Sequence, residues 1–73
     1  MPLQVVKSVI AGVVAHVAVT AGQRVARDQA VMVLEVMKME IAAESPVDGL
    51  VARLFVKQGD TVAEGQPLFS LET

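Results

Sequence analysis

The feature that most constrains this chain is an internal duplication. Shifted by 37 positions, residues 8–35 align with residues 45–72, and eleven of the 28 pairs are identical. The identities are Ser8/Ser45, Gly12/Gly49, Val14/Val51, Ala15/Ala52, Val19/Val56, Gly22/Gly59, Val25/Val62, Ala26/Ala63, Gln29/Gln66, Leu34/Leu71 and Glu35/Glu72. A unit of this length cannot enclose its own apolar face, so the two copies must pack on each other. Approximate two-fold symmetry follows.

The duplication also gives a rule for orientation, because a position that is polar in one copy is expected to face solvent in both. His16 pairs with Arg53, so strict alternation puts Val14/Val51 and Ala18/Phe55 outward with them. Val13/Leu50, Ala15/Ala52, Val17/Leu54 and Val19/Val56 are then expected inside. In the last strand of each unit, Ser70 and Glu72 place Val33 and Glu35 outward, leaving Met32/Phe69 and Leu34/Leu71 in the core. The period of two, the many valines and the turns at 20–23, 57–60 and 64–67 predict short antiparallel strands and no helix. Asp28 stands where the second copy has Gly65, a substitution a left-handed turn position tolerates. The expected fold is all-β, a flattened antiparallel barrel or sandwich of about eight short strands that closes to cover its edges.

Between the units, residues 31–44 form two strand-like runs with no Gly, Pro or Asn between them. If Val36 closes one inward set and Ile41 and Ala43 open the next, the tightest reversal is centred on Met37-Lys38. Lys38 then sits at a hairpin tip. The 37-residue shift carries Lys38 onto Met1 or just past Thr73, so the symmetry mate of the tip is where the chain ends meet. Lysine and termini are expected at opposite ends, with Lys38 presented to another protein. A hairpin free of other constraints would favour Asn-Gly or Asp-Gly here.

Other functions are disfavoured by what the sequence lacks. A chain of 73 residues buries too little surface to support a deep, strained active site. With no cysteine and one histidine, His16, it offers no disulfide framework, zinc ribbon or Ser-His-Asp triad. A net charge of −2 with scattered bases provides no stripe for nucleic acid. Lys7 and the apolar run that follows look like a leader, but they are half of a repeat and are read as part of the domain. No apolar stretch reaches the ~20 residues of a membrane span. A cytoplasmic location is the default expectation.

At Glu35-Val36-Met37-Lys38-Met39-Glu40 the chain resembles the biotinyl domain of biotin carboxyl carrier proteins, whose modified lysine lies in a Met-Lys-Met hairpin. Ser45-Pro46-Val47-Asp48-Gly49 and the segment from Gly59 to Leu68 extend the resemblance along nearly the whole chain, read as one domain over residues 1–73. Val36 replaces a usual Ala or Ser, which bears on ligase recognition; Val9 and Ala11 replace common prolines, and Asp28 a usual glycine. The short loop after Val19 places it with the group lacking a protruding thumb.

The resemblance implies a carrier, not an enzyme. A biotin protein ligase would join biotin to Lys38, with Met37 and Met39 as its recognition contacts. The loaded domain would then serve a biotin carboxylase and a carboxyltransferase acting on an acyl-CoA or 2-oxo acid. An exposed ammonium must lose a proton before attacking, so activation falls to the ligase. Met37 and Met39 could equally fill gaps over the end of the barrel. Glu35, Glu40 and Glu44 read as a solvated face, and His16 as an exposed strand residue. Phe55 with Val14 and Val51 marks a possible apolar patch. The alternatives are a lipoyl domain, whose lysine typically follows Asp and precedes Ala, a dual biotin/lipoyl carrier, and an unmodified adaptor that would not need Lys38.

Overall fold

The valine-rich runs pair as antiparallel strands in a computed structural model that describes residues 2–73. The strands are β1 (Leu3–Lys7), β2 (Gly12–Val17), β3 (Arg24–Val25), β4 (Ala30–Val36), β5 (Met39–Glu44), β6 (Gly49–Leu54), β7 (Thr61–Val62) and β8 (Pro67–Glu72). They form two four-stranded sheets, ordered β1-β8-β6-β3 and β5-β4-β2-β7. The expected all-β fold with eight short strands is observed, and no helix is present among the described residues.

The copies interlock. Each unit lends its two-residue strand to the sheet built mainly by the other: β3 pairs with β6, and β7 with β2. The backbone hydrogen bonds repeat under the 37-residue shift. Gly22 N–H donates to the Val51 carbonyl at 2.7 Å, and Gly59 N–H donates to the Val14 carbonyl at 2.8 Å. The buried hydroxyls of Ser8 and Ser45 each donate at 2.6 Å to the carbonyl two residues on. Because each loop bonds across to the other repeat, neither unit has a complete set of partners by itself.

Both copies also carry the same irregularity, and it overturns part of the expected orientation. Val14 pairs with Leu34 but His16 pairs with Val33, and likewise Val51 pairs with Leu71 and Arg53 with Ser70. Ala15 and Ala52 are therefore the extra residues of β-bulges, which shift the alternation by one. Val14 and Val51, expected outside, are buried at 1% and 0% exposure; Val13, expected inside, is 39% exposed, and Ala52 is exposed. Leu50 and Ala15 are only half-buried. Downstream of the bulge the expected sides are observed, with His16, Arg53, Ala18 and Phe55 exposed, Val19 and Val56 buried, and Val17 and Leu54 half-buried against the core.

The four residues expected inside β4 and β8, Met32, Leu34, Phe69 and Leu71, are buried, although burial alternates only towards the end of β4 and runs unbroken from Leu68 to Leu71 in β8. Ser70 has outward parity yet is itself buried, being small and lying in register between Val5 and Arg53 on flanking strands. The core also takes in Val25, Val31, Val62 and Leu68. Asp28 adopts φ 70° where Gly65 adopts φ 84°, so the aspartate does occupy a left-handed turn.

Candidate functional site

β4 and β5 form the longest regular pairing at the tip, with Leu34 opposite Ile41, Glu35 opposite Glu40 and Val36 opposite Met39. Only Met37 and Lys38 remain to reverse the chain. Both lie in the left-handed region, at φ 50° and 65°, so the loop is a two-residue turn of the I′ kind, whose hand matches strand twist. Residues with a Cβ pay roughly 1 kcal/mol or more each to sit there. The ladder beneath the turn holds this strain.

The result is an exposed lysine at an apex. Met37 is 89% exposed and Met39 60%, so neither packs over the end of the sandwich; the gap-filling role is not observed. Glu35 and Glu40, also exposed, form a like-charged cross-strand pair just below the turn. The side chain anchoring the tip from below is Val36, which is buried.

Gly12 makes that anchoring possible. A Cβ there would fall 2.7 Å from both the Glu35 carbonyl oxygen and the Val36 Cγ2. β2 thus passes against the hairpin closely enough to hold Val36. The counterpart, Gly49, would place a Cβ 2.8 Å from the Glu72 carbonyl oxygen and 3.5 Å from the Thr73 Cγ2. At that end Thr73 N–H donates to the Pro2 carbonyl at 3.2 Å, the counterpart of the Val36/Met39 closure. The chain ends do meet at the mate of the lysine tip; Met1, onto which the shift carries Lys38, lies outside the described residues. β1 leads away from that meeting point, and the chain then reaches Gly12 beneath the hairpin, in a molecule 36 Å long and 18 Å across.

The remaining candidates do not join this site. His16 lies on the exposed face of β2. Phe55, 41% exposed, has the Arg53 guanidinium 5.3 Å from its ring centre. The apolar patch expected with Val14 and Val51 does not form, since both valines are buried. Among the described residues no group of three or more His, Cys, Asp or Glu is placed to hold a metal ion, and no helix is long and apolar enough to cross a membrane.

The duplicated β-sandwich with an exposed lysine on a two-residue hairpin is the architecture of biotinyl- and lipoyl-type domains. Residues 4–71 match the family described as "Biotin-requiring enzyme" (Biotin_lipoyl), to which this chain belongs. It is 41% identical over 61 residues to the biotin carboxyl carrier protein of acetyl-CoA carboxylase from Solanum lycopersicum, covering 84% of this chain and 87% of that protein. It is 38% identical over 61 residues to pyruvate carboxylase from Staphylococcus aureus, covering 84% of this chain but only 5% of that far larger protein. The fold also matches the lipoyl domain of the 2-oxoglutarate dehydrogenase complex from Azotobacter vinelandii with a TM-score of 0.79 and 27% identity, over 94% of this chain and 95% of that domain.

Proposed function

We propose that this chain is a biotin carboxyl carrier whose biotin is attached to Lys38. The observation that carries the reading is the exposed lysine between two exposed methionines at the hairpin apex, in a chain 41% identical to a carrier across most of that carrier's length. A primary amine standing clear of the sheets suits amide formation with an activated biotinyl group. The amine attacks the acyl carbon of biotinyl-adenylate, the acyl–phosphate bond breaks, AMP leaves, and the amine releases a proton. A biotin protein ligase supplies that activation, with Met37 and Met39 as adaptable apolar contacts.

When bound, biotin supplies a ureido nitrogen that accepts and releases a carboxyl group. Lys38 supplies length, and the hairpin places the arm at one end of the domain. The chain contributes no catalytic residue on this reading. It serves a biotin carboxylase, which loads the carboxyl group from bicarbonate with ATP, and a carboxyltransferase, which passes it to an acyl-CoA or 2-oxo acid in the cytoplasm. Held in such an assembly, the tethered group acts at high effective concentration. The fold is shared with lipoyl domains and does not separate the two groups; the biotin-dependent relatives and the Met-Lys-Met sequence favour biotin.

Intact mass after coexpression with a biotin ligase, and separately with a lipoyl ligase, tests the reading. The expected result is one biotin adduct, mapped by fragmentation to Lys38 and abolished by Lys38→Arg. A lipoyl adduct alone would move the assignment to acyl transfer, and no adduct under either condition would favour the unmodified adaptor.

A further inference from the structure

The lysine hairpin continues into an apolar cavity that the carrier reading leaves without a role. Its volume is about 170 Å3, and it opens between β5 and the connection from β1 to β2, where edge strands of the two sheets run near each other. Leu34 and Leu68 contribute from the core, Ile10 from the connection, and Ile41 and Ala43 from β5. Val9, also at the cavity, is 83% exposed, leaving an apolar surface uncovered. Cavities that take a whole small-molecule ligand are usually larger, so this one is sized for a ring.

Two observations point to what covers it. The first is continuity: β5 starts next to Lys38 and forms one wall of the cavity. At about 3.3 Å per residue, Ile41 lies roughly 10 Å and Ala43 roughly 17 Å along the strand from the lysine. A lysine side chain plus the acyl chain of biotin is about eleven bonds long, roughly 13 Å when extended, which brings the bicyclic ring between those two residues. The second is polarity. Lys7 and Glu44, mates under the 37-residue shift, both border the cavity. They offer an N–H donor for the ureido oxygen and a carboxylate acceptor for a ureido N–H, while the apolar wall suits the sulfur-containing ring.

We propose that the biotinyl group carried on Lys38 docks on its own domain in this cavity, its ring against Ile10, Ile41 and Ala43. The inference rests on biotin attachment at Lys38. The arm then divides its time between a parked position along β5 and an extended position available to partners. If about two thirds of the molecules are parked, capture of the biotin by a partner is slowed roughly threefold.

The test compares NMR spectra of the isotope-labelled full chain before and after biotinylation, with complete modification of Lys38 verified by mass. Parking predicts shifts at Ile10, Ile41 and Ala43 and through-space contacts between the biotin ring protons and the Ile10 and Ile41 methyl groups. Val9→Asp, a change at an exposed position that retains the unmodified fold, puts a charge on the rim. In that variant the distant shifts should diminish and avidin should capture the biotin roughly threefold faster. Biotin on Lys38 with shifts confined to residues 36–40 would overturn parking and leave the carrier reading intact. Absence of biotin from Lys38 after ligase treatment would overturn both.

Discussion

The lysine hairpin and the meeting of the chain ends are two versions of one structural corner. In the hairpin, Val36 and Met39 are joined through Met37 and Lys38; at the other corner, Thr73 and Pro2 are held by a 3.2 Å hydrogen bond. Each corner rests on a glycine, Gly12 or Gly49, that allows a neighbouring strand to approach. The same closure thus forms with and without a covalent turn, which means the strand ladders and the glycine contacts hold it. The turn is carried by the structure and is free to present residues poorly suited to turning. Both of its residues have positive φ, and neither is Gly, Asn or Asp.

The largest expected effect concerns what the two copies share. Val14→Asp should unfold the domain, costing at least about 4 kcal/mol, because it buries a charge in the core. Val13→Asp, one residue earlier, should cost less than about 1 kcal/mol. Val51→Asp should behave as Val14→Asp does. Circular dichroism during urea titration checks all three, and equal effects at Val13 and Val14 would contradict the bulge.

That bulge is also where sequence pattern and structure part. Alternation located Met32, Leu34, Phe69 and Leu71 in the core because no bulge separates them from the polar residues that set the phase, even though Ser70 itself is covered by its neighbours, and the same logic centred the reversal on Met37-Lys38. It inverted Val14 and Val51 because His16 and Arg53 were used to count back across Ala15 and Ala52. An inserted residue leaves no polar marker when it is alanine among valines. The available signal was the apolar run Val13-Val14-Ala15 before His16, matched by Leu50-Val51-Ala52 before Arg53, which fits no single alternating phase. The cavity beside β5 was illegible for another reason: it depends on how edge strands of two different sheets come together in space, and no residue pattern records that gap.

A smaller effect should distinguish the two corners. Gly12→Ala would force a methyl against the Glu35 carbonyl and Val36 inside a closed hairpin, at an expected cost of about 2–3 kcal/mol. Gly49→Ala meets the Glu72 carbonyl nearly as closely, but its other neighbours, Thr73 Cγ2 and Leu71 Cβ, lie at ordinary contact distances of 3.5 and 3.6 Å, so about 1 kcal/mol is expected. Each kcal/mol corresponds to roughly 4–8 °C in Tm for a domain of this size. Calorimetry should therefore show Gly12→Ala melting well below Gly49→Ala, and equal Tm values would mean that the covalent turn adds no rigidity.

The smallest effects lie in the turns themselves, and their sign is informative. Replacing Met37-Lys38 by Asn-Gly puts two residues suited to left-handed positions into the turn, so it should stabilise the fold by about 1–2 kcal/mol while removing the lysine proposed for attachment. Asp28→Gly, at the one left-handed turn where the copies differ between Asp and Gly, should change stability by less than about 0.5 kcal/mol, since aspartate tolerates that region and glycine gains entropy in the unfolded chain. Urea denaturation of both variants measures the contrast. A stabilising Asn-Gly beside a neutral Asp28→Gly would locate retained strain at the Met37-Lys38 turn alone, the outcome expected if those residue types serve the proposed attachment in place of the turn. Neutral results at both would mean that the ladder below Met37 and Lys38 relaxes the turn completely.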